Sequence, residues 1–107
     1  MPMWLTVGTH YAGQTSWGLN GHNNTVVAWA GRTFDSMTDA RKAANDFKTR
    51  SATAEFEVYE GARGRWRWRA WHAQQQVAVS ANGFTTKQNA RRAAENVRAN
   101  AATSRGP

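Results

Sequence analysis

The chain of 107 residues contains no cysteine and only two prolines. The missing thiols exclude a disulfide framework, a thiolate metal site and a cysteine nucleophile. Hydrophobic runs are a few residues long, so no segment reads as a membrane span. The opening Met1-Pro2-Met3-Trp4 has neither a basic n-region nor an apolar h-region, and the expectation is a cytoplasmic protein. Acidic groups are scarce: seven Asp+Glu face fourteen Lys+Arg, a formal net charge of +7. That excess favours polyanions or an acidic protein surface as partners and says nothing about fold. The length allows one compact domain, or two very small units sharing a core, with roughly 60–70% of the unfolded surface buried.

Catalytic signatures are also missing. There is no Gly-x-Ser-x-Gly, no His-Glu-x-x-His and no phosphate-cradling glycine loop. His10, His22 and His72 have no partner at the spacing of a helical metal pair, so no metal site is expected. With no nucleophile–base arrangement, the chain reads as a non-enzyme without cofactors. Asn23-Asn24-Thr25 matches a glycosylation sequon, which carries no weight without a signal peptide.

What the chain does have is arginine, unevenly placed. Residues 1–54 hold five basic and three acidic groups, residues 55–107 nine and four. Eleven of the bases are arginine, and Arg63, Arg65, Arg67 and Arg69 fall within seven residues. A guanidinium offers a planar fork of donors that suits phosphate or carboxylate. A GC-rich genome accounts for a general alanine and arginine excess, but less well for this local cluster.

A second positive feature is internal repetition. At an offset of 50, Val27, Ala28, Phe34, Ala40, Arg41, Ala43 and Ala44 meet Val77, Ala78, Phe84, Ala90, Arg91, Ala93 and Ala94. At an offset of 51, Val7, Gly13 and Trp17 meet Val58, Gly64 and Trp68; a slip in a turn near Asn23-Asn24 and Gln74-Gln75 accounts for the change. The period predicts two units, 1–52 and 53–101, followed by a frayed, flexible tail over 102–107.

Each unit has the same local grammar. Alternation in Phe56-Glu57-Val58-Tyr59 predicts a strand, Gly61-Ala62-Arg63-Gly64 a turn, Arg65 to His72 a second strand, and Gln76 to Ser80 a third. After Asn82-Gly83, Thr86 caps a helix with Ala90, Ala93, Ala94, Val97 and Ala101 on one face. The first unit predicts strands near 3–10, 15–21 and 25–30, then a Ser36-capped helix with Ala40, Ala43, Ala44 and Phe47 inward. The fold class expected is therefore α+β: tandem βββα repeats sharing one antiparallel sheet and core. Two-residue alternation turns Trp66, Trp68, Ala70, Phe56, Val58, Val77 and Val79 inward, and Arg65, Arg67, Arg69 and Trp71 outward. In the first unit it turns Trp17, Leu19, Val27 and Trp29 inward and Gln14, Ser16, Gly18 and Asn20 outward. One half of the outer face is thus basic and the other neutral.

Phe56-Glu57-Val58-Tyr59-Glu60, Gly64-Arg65-Trp66-Arg67-Trp68-Arg69, Val77-Ala78-Val79-Ser80 and Gly83-Phe84-Thr85-Thr86-Lys87 resemble the YegP-like family of uncharacterised prokaryotic proteins, domain of unknown function 1508. The resemblance covers residues 56–100 directly and residues 5–50 through the repeat. It implies a tandem form of a fold that pools two β-rich units, each with one helix, into a shared sheet. The second half then replaces a partner copy, giving a monomer with pseudo-two-fold symmetry. Gln74-Gln75 stands where the family has an Asn-Gly turn, and alanine where its helix has glycine. No activity follows from the resemblance. A weaker likeness of shape links the Trp/Arg hairpin and alanine-rich helix to the arm-type DNA-binding domains of tyrosine integrases.

Three functional readings compete. In the first, the outward Arg63, Arg65, Arg67 and Arg69 bind nucleic acid phosphates, and Trp71, Tyr59 or Trp4 offer stacking surfaces. In the second, Trp4, Tyr59, Trp71 and the arginines form an adaptor surface for an acidic protein, in an uncharacterised family that is stress-related or phage-encoded. In the third, the protein is a remnant with a stability or stress role and no discrete ligand. Against the first stands a structural account: arginines on an open sheet are solvated and paired across strands to Glu55 and Glu57.

Overall fold

The computed structural model describes residues 3–9, 14–21 and 25–106. Its elements are β1 (Trp4–Thr9), β2 (Thr15–Asn20), β3 (Val26–Trp29), α1 (Met37–Arg50), β4 (Glu55–Glu60), β5 (Trp66–His72), β6 (Gln75–Ser80) and α2 (Lys87–Asn100), with single 3-10 turns at Ala62–Gly64 and Ala101–Thr103. The strands form one six-stranded sheet in the order β1-β2-β3-β6-β5-β4, every neighbouring pair antiparallel. The two halves of the chain join at its centre, where Ala28 pairs with Ser80 and Trp29 with Val79. The turn expected at Asn23-Asn24, together with His10 and His22, lies outside the described residues.

The helices start where capping chemistry starts them. Ser36 and Thr86 each accept a hydrogen bond at 3.1 Å, from Asp39 N–H and Asn89 N–H, satisfying donors that a first helical turn leaves open. Both helices lie on one face of the sheet and press mostly small residues onto it, Ala40 and Ala44 from α1 and Ala90, Ala94 and Val97 from α2, with Phe47 of α1 the one bulky member of the set. The sheet supplies the bulk. Trp17, Leu19 and Trp68 are fully buried, and Trp17 stacks on Phe47 with ring centroids 5.1 Å apart.

The inward set departs from simple alternation. Leu19 pairs with Ala28 but Asn20 with Val26, and Ala70 pairs with Ala78 but Trp71 with Gln76. Val27 and Val77 are thus extra residues in β-bulges. Each bulge flips the residues after it by one face. Val27 and Val77 still lie against the core, Ala28 and Ala78 are wholly buried, and Trp29 and Val79 turn to the opposite, uncovered face. The expected inward placement of Trp29 and Val79 is corrected accordingly.

Three further expectations change. Ser16, read as outward and open, is fully buried, with its hydroxyl donating to Arg32 O (2.7 Å) beneath the chain that leaves β3. The β5–β6 turn is Ala73-Gln74, closed by the pair His72–Gln75, one residue earlier than Gln74-Gln75. Ala73 and Gln74 both have positive φ, 50° and 67°, as a two-residue hairpin turn of the primed type demands. Residues 102–106 do not leave the fold as a frayed tail. Arg105 bridges Trp4 in parallel, Arg105 N–H donates to Met3 O (2.8 Å), and Leu5 N–H donates to Arg105 O (2.7 Å).

Candidate functional site on the uncovered sheet face

The face opposite the helices is built from the outward residues of all six strands. One cross-strand row runs Thr6, Gly18, Trp29, Val79, Arg69 and Glu57, each the register partner of the next. Towards β1 this row is small and uncharged; towards β4 it is charged. Beside it, Tyr59 pairs with Arg67 and Glu55 with Trp71.

The four arginines do not form one uniform row. Arg69 Nε donates to Glu57 Oε1 at 2.6 Å, and its guanidinium lies 4.3 Å from the Tyr59 ring centre and 5.4 Å from that of Trp71. Trp71 Nε1 donates to the same Glu57 oxygen at 3.2 Å. The Arg69 hydrogen bond, followed by that from Trp71, holds the Glu57 carboxyl below its ordinary range. Glu57 in turn raises the affinity of Arg69 for its proton. Arg69, Glu57, Tyr59 and Trp71 therefore make a self-satisfied cluster whose positive charge is already balanced.

Arg63, Arg65 and Arg67 differ. They cluster at the Gly61–Arg65 end of the β4–β5 hairpin, and among the described residues none forms an ion pair. Arg63 occupies the left-handed region (φ 61°) inside the turn. Arg65 runs against Gly83, where a methyl group would stand 3.0 Å from its Cβ, and Arg67 runs past Gly61, where one would stand 3.4 Å from its Cδ. Both glycines leave room for an arginine stem to lie flat.

The expected aromatic set separates. Tyr59 and Trp71 flank Arg69. Trp4, 47% exposed, lies four strands away from β5, roughly 19 Å at the usual strand spacing, with the Arg105 guanidinium 5.6 Å from its ring centre. Trp4 therefore shares no patch with the arginines. Among the described residues no three His, Asp or Glu side chains gather as metal ligands, and no helix is long and apolar enough to cross a membrane.

No family model matches the chain, and no curated protein matches it. Two solution NMR structures align with nearly all of it. A UPF0339 protein from Shewanella oneidensis shares 14% identity at a TM-score of 0.78, covering 95% of this chain and 86% of that one. A protein of unknown function from E. coli, yegP, shares 19% identity at a TM-score of 0.78, covering 97% and 90%. The fold is YegP-like. At these identities the likeness concerns the backbone and carries no site residues across. On this YegP-like sheet, sequence alternation locates the arginines on the outer face but misses Trp29 at its centre. It does so because the Val27 bulge that turns Trp29 outward leaves no mark in the residue pattern.

Proposed function

We propose that this protein is a small non-enzymatic binding module whose uncovered sheet face takes a polyanion, nucleic acid in the first instance. The supporting observation is the division among the arginines. Arg63, Arg65 and Arg67 gather at one end of an uncovered face with no carboxylate ion-paired to them among the described residues, while Arg69 is neutralised by Glu57. Guanidinium groups without an internal partner exchange solvent and counterions for phosphate, so binding is salt-dependent and largely indifferent to base sequence. Trp71 and Tyr59, held by Arg69, stand beside them as stacking surfaces.

In the same reading the chain is a cytoplasmic monomer built from two βββα copies, the second occupying the place of a partner subunit. Matching features at offsets of 50 or 51 residues support the duplication: bulges at Val27 and Val77, caps at Ser36 and Thr86, and bridges of Thr15 to Phe34 and Trp66 to Phe84. The arginine cluster belongs to the second copy alone, so duplication supplied the scaffold and divergence the charge.

Fluorescence anisotropy with labelled duplex DNA, single-stranded DNA and RNA at several salt concentrations tests the proposal. The expected result is micromolar or tighter binding near physiological salt, weakened by Arg65→Glu or Arg67→Glu. Retention no greater than that of an unrelated protein of equal charge overturns it.

A further inference from the structure

The two edges of the sheet are finished differently. At β1 the chain's own end lies alongside, with Arg105 hydrogen-bonded to Met3 and Leu5. At β4 no described residue does so. The β4–β5 ladder starts where Gly61 N–H donates to Arg65 O (2.6 Å). Antiparallel alternation then directs the backbone groups of Tyr59, Glu57 and Glu55 towards β5, and those of Phe56, Val58 and Glu60 away from it. Natural edges are usually blunted by charged side chains, lysine above all, by proline or by a bulge. β4 has no lysine, proline or bulge, its charges are glutamates alone, and it keeps unbroken register with β5 over six pairs.

The two faces of this edge differ in chemistry. β4 carries three of the chain's seven acidic groups, Glu55, Glu57 and Glu60. On the uncovered face, exposed Glu55 and the Glu57–Trp71 pair line a hollow of about 840 Å³ with Thr53, His72 and Gln74. On the helix face, half-buried Phe56 and Val58 floor a second hollow of about 350 Å³, walled by Lys87, Arg91, Glu95 and Arg98 of α2, so that this face suits apolar rather than cationic side chains. The open-face hollow is lined by two carboxylates and no Lys or Arg, and charges are screened beyond about 8 Å at physiological salt, so a cation is favoured on that face of a docked strand, chiefly by Glu55 since Glu57 is already paired with Arg69.

We propose that β4 is a docking strand for an extended basic segment of a partner protein, which adds to the sheet as a seventh strand. Phe56, Val58 and Glu60 supply its backbone hydrogen bonds. Lys or Arg side chains on the open-face positions meet Glu55 and the Glu57–Trp71 wall, and apolar side chains on the alternate positions cover Phe56 and Val58. A second copy of β4 fits less well, since it would bring two sets of glutamates along one seam. Its open-face wall shares Trp71 with the polyanion reading, but it uses none of Arg63, Arg65 and Arg67, so the two readings fail separately.

The test uses the isotopically labelled full chain, titrated with a peptide of alternating Lys and Val and with a charge-reversed Glu and Val peptide as control. The Lys peptide is expected to shift the amides of Phe56, Val58 and Glu60 and to slow their hydrogen exchange, and the Glu peptide to bind at least about tenfold more weakly. Glu55→Lys is expected to lower affinity for the Lys peptide about tenfold. Val58→Pro, at a position whose N–H the β5 ladder does not use, is expected to abolish binding; if that variant fails to fold, Glu55→Lys decides. Shifts absent from β4, equal binding of the two peptides, or unchanged affinity in Glu55→Lys each overturn the proposal. So does concentration-dependent protection of the β4 amides without peptide, which would make a second copy the occupant.

Discussion

Arg69 Nε stands 2.6 Å from Glu57 Oε1 across the β4–β5 ladder, and this contact divides a row of arginines into two kinds. Where the pair forms, the guanidinium becomes an internal strut that sets the positions of Tyr59 and Trp71. At Arg63, Arg65 and Arg67 no such partner is in place among the described residues, and the charge faces outward. The same residue type is thus an internal strut at one position and an outward charge without an ion pair among the described residues two residues earlier, and the cross-strand neighbour distinguishes them.

The pair makes a pH prediction with a definite sign. Glu57 is held below its ordinary range, first by Arg69 and then by Trp71, so it binds its proton less readily folded than unfolded. Its contribution is complete above the unfolded value and is lost as pH falls through the folded one. The side chains are 34% and 49% exposed for Arg69 and Glu57, so the contribution to global stability is small. The sensitive measurement is an NMR titration of the Glu57 carboxyl. Its midpoint is expected below the ordinary glutamate range and to rise in Arg69→Leu. An unchanged midpoint in that variant would assign the shift to Trp71 instead.

The division of the arginines predicts different effects on polyanion binding. Arg65→Ala and Arg67→Ala should each lower the slope of log affinity against log salt by about one, the signature of one lost phosphate contact. Arg69→Ala should leave that slope nearly unchanged, because its charge is already balanced, while shifting Trp71 fluorescence. Equal slope losses for all three would mean that the Arg69–Glu57 pair opens in the complex.

Much of the architecture is legible in the residues, and the part that is not has an identifiable cause. The strand–turn–helix grammar locates the six strands and both α-helices within a few residues, because Ser36 and Thr86 are strong caps and the alanine stripes follow the helical period. The outward arginines are legible because no bulge lies between Arg65 and Arg69. Trp29 and Val79 are misplaced because a bulge moves one residue without changing composition, so alternation counted through Val27 or Val77 ends on the wrong face. The pairing of residues 105 and 4 is invisible for another reason: Ser104-Arg105-Gly106 is polar and short, and its contacts are backbone to backbone.

The bulge at Val77 can be tested by substituting its neighbours. Ala78 is wholly buried on the helix face, so Ala78→Leu should overpack the core and cost about 1–3 kcal/mol. Val79 faces the uncovered side, so Val79→Leu should change stability by less than about 0.5 kcal/mol. Plain alternation predicts the reverse order. Urea denaturation of the two variants therefore decides which face each residue occupies.

The β5–β6 turn is a site of stored backbone strain. Ala73 and Gln74 both sit at positive φ, where a side chain costs about 1 kcal/mol relative to glycine. The double change Ala73→Asn and Gln74→Gly supplies the residues that a primed two-residue turn favours. It should raise stability by about 1 kcal/mol, or roughly 4–8 °C in Tm for a domain of this size. A lower Tm would show that the turn is not of the primed type.

The end of the chain makes the last prediction, since it tests whether residues 104–106 guard the β1 edge. Gly106 has a φ of +72°, and a methyl group there would stand 2.7 Å from Leu5 O, a backbone atom that cannot move aside without disturbing β1. Gly106→Ala should therefore loosen the segment although it adds one small group and no charge. Removing residues 104–107 should loosen it completely, at a cost of about 1–3 kcal/mol for the two backbone hydrogen bonds lost at Met3 and Leu5. Hydrogen exchange at the Leu5 amide reads both variants directly: slow in the intact chain, faster in Gly106→Ala and fastest in the truncation. A Leu5 amide that exchanges freely in the intact chain would mean that the segment does not close the edge. Protection that survives truncation would mean that another strand pairs with β1 in solution, leaving both edges of the sheet available for partners.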